Sequence, residues 1–153
     1  MMKKTLKIIF CVVAVLLLMQ LIPVDRTNVP VDPAADFVKL TGAPAEVTAV
    51  LKRSCYDCHS NETVYPQYAY IAPFSWSVKH HVNKGRKHVN FSQWAAYNKE
   101  QKQGILEKTV HVLEDRKMPL PVYISYHEEA ALTSADRKML ADYFKSLADS
   151  KEK

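Results

Sequence analysis

Glycine is scarce in this chain, with three among 153 residues, and no stretch alternates apolar and polar residues with a convincing period of two. A sheet-based architecture has little to start from, and a βαβ pattern is absent. No internal repeat is visible. Acidic side chains are missing until Asp25, so much of the formal charge of +5 belongs to the N-terminus. Setting aside Lys3, Lys4 and Lys7 leaves 18 basic residues against 16 acidic ones, close to balance. A basic pI is then no argument for nucleic acid as a partner, and none is expected.

The N-terminus carries those three lysines ahead of Ile8 to Val24, 17 residues interrupted only by Gln20 and Pro23. This length lies at the short limit of a membrane-spanning helix, about 17–25 residues. The leading lysines favour a cytoplasmic N-terminus. Small residues for a cleavage site are absent after the apolar core, and Cys11 lacks the small residues expected before a lipidated cysteine. The expectation is an uncleaved signal anchor over 1–24, a single-pass inner-membrane location, and a domain on the periplasmic side. Residues 25–44, with Pro30, Pro33 and Pro44, read as a mostly extended tether, with Phe37, Val38 and Leu40 able to dock part of it.

Cysteine is as rare as glycine, and its placement is informative. Cys55-Tyr56-Asp57-Cys58-His59 puts two thiols two residues apart with an imidazole directly after the second, the spacing of c-type haem attachment. Two thiols at that separation can add across the two vinyl groups of one haem, and His59 is then held beneath the iron. A zinc half-site would need a second pair of ligands at similar spacing, and Cys11 is the only other cysteine. A thioredoxin-like pair would want a βαβ context. A structural disulfide would leave His59 unexplained.

Helical signals dominate the rest. Pro44 suits a first helical turn, and Val47, Val50 and Leu51 fall at i, i+3 and i+4 on a helix running into Cys55. Ser92 can cap a segment carrying Trp94 and Tyr97. A longer helix is predicted from Lys99 to Asp115 with Ile105, Leu106, Val110 and Leu113 inward, weakened by Gly104 by about 1 kcal/mol relative to Ala. Thr133 and Asp136 form a capping-box-like pair before an amphipathic stripe of Met139, Leu140, Tyr143, Phe144 and Leu147. The fold class expected is all-α: a helical domain around one haem over 45–148, with a transmembrane helix before it.

A helix into the haem motif, a helical middle, Lys117-Met118-Pro119 in a loop and a terminal helix together resemble the plan of class I cytochromes c. In that plan a Met-Pro loop supplies the second axial ligand, and the initial and terminal helices cross. More narrowly, Cys55 to Asn61, Tyr65-Pro66, Ile71-Ala72-Pro73, Ser75-Trp76, Asn90-Phe91-Ser92 before Trp94, Met118-Pro119-Leu120-Pro121 and His127 resemble the bacterial haem-binding domain family related to cytochrome c. The likeness covers Ala45 to about Leu147. It implies a haem more strongly than it implies a task.

Met118 is the first candidate for the second axial ligand, because a neutral thioether raises the reduction potential relative to two imidazoles. Pro119 and Pro121 stiffen its loop. Met118 as a core filler and His127 as the ligand are the competing readings, with Met139 assigned to the core and His111 to packing or surface. Tyr65, Tyr68, Tyr70, Phe74 and Trp76 are expected to wall a haem or to pack an ordinary core. The polar run from Lys79 to His88 offers Arg86 to a haem propionate, a basic face to an acidic partner, or a solvated loop.

The function expected is a membrane-anchored c-type haem protein that carries one electron between periplasmic or membrane redox proteins, with Cys55, Cys58, His59 and Met118 as cofactor residues and no catalytic residue. The alternative is a haem enzyme or gas sensor with a displaceable sixth ligand.

Overall fold

Helices form where the sequence carries a 3.6-residue apolar period. The computed structural model describes residues 2–150, and no strand occurs among them. Its helices are α1 (Met2–Met19), α2 (Phe37–Thr41), α3 (Ala45–Ser54), α4 (Tyr56–His59), α5 (Phe74–His88), α6 (Lys99–Glu114), α7 (Pro121–Ile124) and α8 (Ser134–Asp149). Single 3₁₀ turns lie over Pro33–Ala35, Gln67–Tyr70 and Glu128–Ala130, and a longer 3₁₀ segment over Phe91–Ala96.

The expected helix starts hold with small changes. Pro44 is the N-cap of α3, one residue ahead of the first turn. Asn98 caps α6 in a reciprocal box with Gln101, and Thr133 with Asp136 does the same for α8. Each box satisfies two backbone N–H groups that the first turn leaves without a helical partner. Ser92 caps nothing. Asn90 caps the 3₁₀ segment instead, because its amide oxygen reaches the Ser92 N–H at 3.2 Å.

The core is the meeting of α3, α6 and α8 with α2 inserted beside them. Val47, Val50 and Leu51 of α3 are buried, as are Leu106, Val110 and Leu113 of α6 and Leu140, Ala141 and Phe144 of α8. Phe37 is completely buried. Its ring centroid lies 4.8 Å from that of Trp94, edge-on, 5.2 Å from Phe91 and 5.4 Å from Phe144, stacked. The preceding Asp36 caps α2 and accepts the Tyr56 hydroxyl at 3.0 Å. A segment expected as tether thus reaches into the middle of the packed domain at Phe37.

The transmembrane helix does not survive the structure. Among the described residues no helix is long and apolar enough to cross a membrane. Helix α1 includes Lys3, Lys4 and Lys7 in its 18 residues and ends at Met19. Its apolar part, Ile8 to Met19, rises about 18 Å at 1.5 Å per residue, against a hydrocarbon layer of about 30 Å. The run to Val24 is broken at Gln20. That side chain accepts the Ala72 N–H at 2.9 Å and donates to the Ala72 carbonyl at 3.1 Å. The expectation of a single-pass inner-membrane protein falls with the helix.

Beyond Gln20 the chain stays on the domain. Arg26 lies over the Tyr70 ring, 4.2 Å from its centroid, and Asn28 donates to the Thr63 carbonyl at 2.8 Å. The stretch Lys79 to His88 is helical rather than a loop, as the second half of α5. Its buried face is a narrow line of Ser75, Val82 and Gly85.

Candidate haem site

Cys55 ends α3 and begins the single turn of α4. Its carbonyl accepts the N–H of Cys58 at 3.2 Å and of His59 at 2.9 Å. Residues three and four apart on a helical turn share a face, so this turn groups Cys55, Cys58 and His59. Helix α5 packs across it with no room to spare. A Cβ added at Gly85 would collide with the Cys58 carbonyl oxygen and lie 3.2 Å from the Cys58 Cβ. Gly85→Ala is therefore expected to lower stability by about 1–3 kcal/mol, the range for overpacking. A shift of the urea unfolding midpoint measures it, and an unchanged midpoint would mean that α5 can move off the turn.

The His59 ring is oriented from behind. Its Nδ1 lies 3.2 Å from the Val89 carbonyl oxygen, and a carbonyl only accepts, so the ring proton sits on Nδ1. Nε2 is left with its lone pair. Metal-bound histidines are held in this way, the second nitrogen donating to a backbone carbonyl or carboxylate. Burial lowers the His59 pKa, opposed in part by hydrogen bonds to the Val89 and Gly85 carbonyls. The imidazole is thereby kept in the neutral form that ligates.

Neither thiol of the motif is paired in a disulfide. Burial first, then the neighbouring Cys58, pushes Cys55 up to about 12. Burial and the Asp57 carboxylate push Cys58 up to about 11. Redox-active Cys-x-x-Cys pairs depend on a lowered thiol pKa, so the local electrostatics do not suit a redox-active pair. Among the described residues no group of three or more His, Cys, Asp or Glu side chains could hold a metal ion.

Cys55 and His59 open onto an apolar cavity floored by Leu51, Leu140 and Phe144 and bordered by Met118. Two of the buried side-chain hydroxyls have no hydrogen-bond partner, those of Ser54 and Tyr65, and Ser54 lines this same cavity. An apolar crevice with an oriented imidazole and a thioether on its lining has the donor chemistry that a haem requires. Cys55, His59 and Met118 fit the group from this crevice, while Cys58, on the same turn, faces a second cavity.

His127, the competing ligand, lies elsewhere. It lines a second cavity on the Cys58 side. Its Nδ1 meets the Glu129 carboxylate at 3.2 Å, its Nε2 meets the Tyr68 hydroxyl at 2.8 Å, and the Tyr123 ring stacks on it at 4.5 Å. His80 and His111 are exposed.

Several residues around the motif have roles that spacing alone did not reveal. Arg86 donates to the Ser60 carbonyl at 2.7 Å, to Asn28 Oδ1 at 2.8 Å and to Thr63 Oγ1 at 2.9 Å, so its guanidinium braces the loop after His59. Buried Asn61 and Asn90 pair at 2.8 Å, and Ser92 Oγ accepts the Asn61 N–H at 3.1 Å. Polar residues so placed satisfy a buried turn and fix its shape. The aromatic residues from Tyr65 to Trp76 do not line the first cavity. Tyr70 and Phe74 are exposed, Tyr68 lines the second cavity, and the rings on the first cavity are Phe91 and Phe144.

An all-helical domain whose Cys-x-x-Cys-His turn borders an apolar crevice defines a haem-binding protein as a class. The sequence matches the family model described as "Haem-binding domain" over residues 14–146. This chain belongs to that family. No curated protein and no solved structure matches it.

Proposed function

We propose that this protein is a single-haem c-type cytochrome that passes one electron between partner redox proteins. Cys55 and Cys58 would hold the group through thioether links, and His59 Nε2 and Met118 Sδ would be the iron's ligands. The observation that carries the reading is the His59 ring, turned by the Val89 carbonyl so that its free nitrogen is Nε2. When bound, the haem supplies the ferric/ferrous couple.

The chain's own part is positional. Leu51, Leu140 and Phe144 limit water at the crevice, one of the levers by which a protein sets a haem potential. Arg137 Nη1 holds the Met118 carbonyl at 2.7 Å, so the loop bearing the thioether is anchored to α8. Two ligands that need not leave suit electron transfer, whereas an enzyme or gas sensor needs an open position.

The test is spectroscopic. Reduced holoprotein is expected to be low-spin and inert to carbon monoxide over minutes. Rapid carbon monoxide binding by the native reduced protein would replace the carrier with a displaceable-ligand enzyme or sensor.

A further inference from the structure

The loop from Lys117 to Tyr126 is fastened at Met118 itself and again five residues further on, at Tyr123. At the first point, Arg137 of α8 donates to the Met118 carbonyl at 2.7 Å and to the Leu113 carbonyl, near the end of α6, at 3.0 Å. The Lys117 N–H also returns to the Val112 carbonyl at 2.9 Å. At the second, the Tyr123 hydroxyl donates to Asp57 Oδ2 at 2.7 Å. Asp57 stands between the two motif cysteines, and its other oxygen accepts the Val64 N–H at 3.0 Å. Tyr123 also presents its ring face to His127.

We infer that Tyr123 and Arg137 are positioning residues for the sixth ligand: they latch the Met118 loop to the thiol-bearing turn and to α8, and so set how firmly sulfur holds the iron. The inference rests on the proposed Met118 ligation. It assigns to Asp57, an unspecified residue of the Cys-x-x-Cys-His pattern, the task of coupling the cofactor's attachment turn to the loop that bears Met118. A hydrogen bond to a charged acceptor is among the stronger ones a folded chain makes. Its loss should fall on the equilibrium between closed loop and open iron, because it is the bond that joins the loop to the thiol-bearing turn.

The experiment is imidazole titration of the ferric holoprotein, read beside the weak near-infrared band of sulfur-to-iron ligation. Native protein, Tyr123→Phe, Arg137→Gln and Arg137→Lys are compared at matched covalent haem content. Tyr123→Phe keeps the ring on His127 and removes only the hydroxyl. It is expected to bind imidazole about ten-fold more tightly, the effect of one charge-assisted hydrogen bond. Arg137→Gln should show a similar gain, with partial return in Arg137→Lys, which keeps the charge. Should Arg137→Gln fail to fold, Tyr123→Phe decides alone. Imidazole affinity and band unchanged in Tyr123→Phe would overturn the inference. Absence of the band in the native protein would instead remove the Met118 ligation beneath it.

Discussion

Replacing both Cys55 and Cys58 with Ala is expected to abolish haem that survives denaturation. Native protein matured with haem should stain on a denaturing gel and carry the added mass of one porphyrin, and the double variant should do neither. The size of the effect follows from the sequence, because the remaining cysteine, Cys11, is exposed on α1 and is not part of the α4 turn. Single variants should keep one link and stain weakly. The double variant need not unfold the domain, since the centre of the core is Phe37, Leu106, Leu140 and Phe144 and neither cysteine belongs to it. A native protein with only its polypeptide mass would end the c-type assignment, though not the membership of a haem-binding family.

Met118→Ala carries the second large effect. The near-infrared band of the ferric protein should disappear, and the reduced protein should bind carbon monoxide within seconds. The reduction potential should fall, since the neutral sulfur that favours the ferrous state is gone. His127→Ala should leave the band in place, because both ring nitrogens of His127 are already engaged, by Tyr68 and Glu129. The reverse pattern, a band indifferent to Met118 and lost with His127, would reverse the ligand assignment. It would also require α7 to refold, given the stacking of Tyr123 on His127.

The long helices were legible because α3, α6 and α8 bury large apolar side chains at helical spacing, and because Thr133 marks where α8 begins; the Asn98 cap of α6 emerged only with the structure. Helix α5 was not legible, since its inward line is Ser75, Val82 and Gly85 and two of these carry almost no hydropathy signal. The reason for Gly85 is visible only in three dimensions, where it faces the Cys58 carbonyl. The Cys-x-x-Cys-His pattern was readable from spacing alone. The residues that orient it were not, because Val89 acts through its backbone carbonyl and Arg86 through partners 23 to 58 positions away. Hydropathy misled at the N-terminus. A run from Ile8 to Val24 reads as one segment, yet the hydrogen bonds of Gln20 with Ala72 divide it.

The place of Phe37 fixes how little of this chain could be excised. A fragment beginning at Ala45 would retain every residue that touches the crevice and still lack the benzyl group that plugs the space between Phe91, Trp94 and Phe144. Emptying a site of that kind costs about 3–5 kcal/mol, a large share of what holds a domain of this size together. The minimal fragment able to keep its crevice shut therefore starts upstream of Asp36, whose carboxylate also secures the Tyr56 hydroxyl.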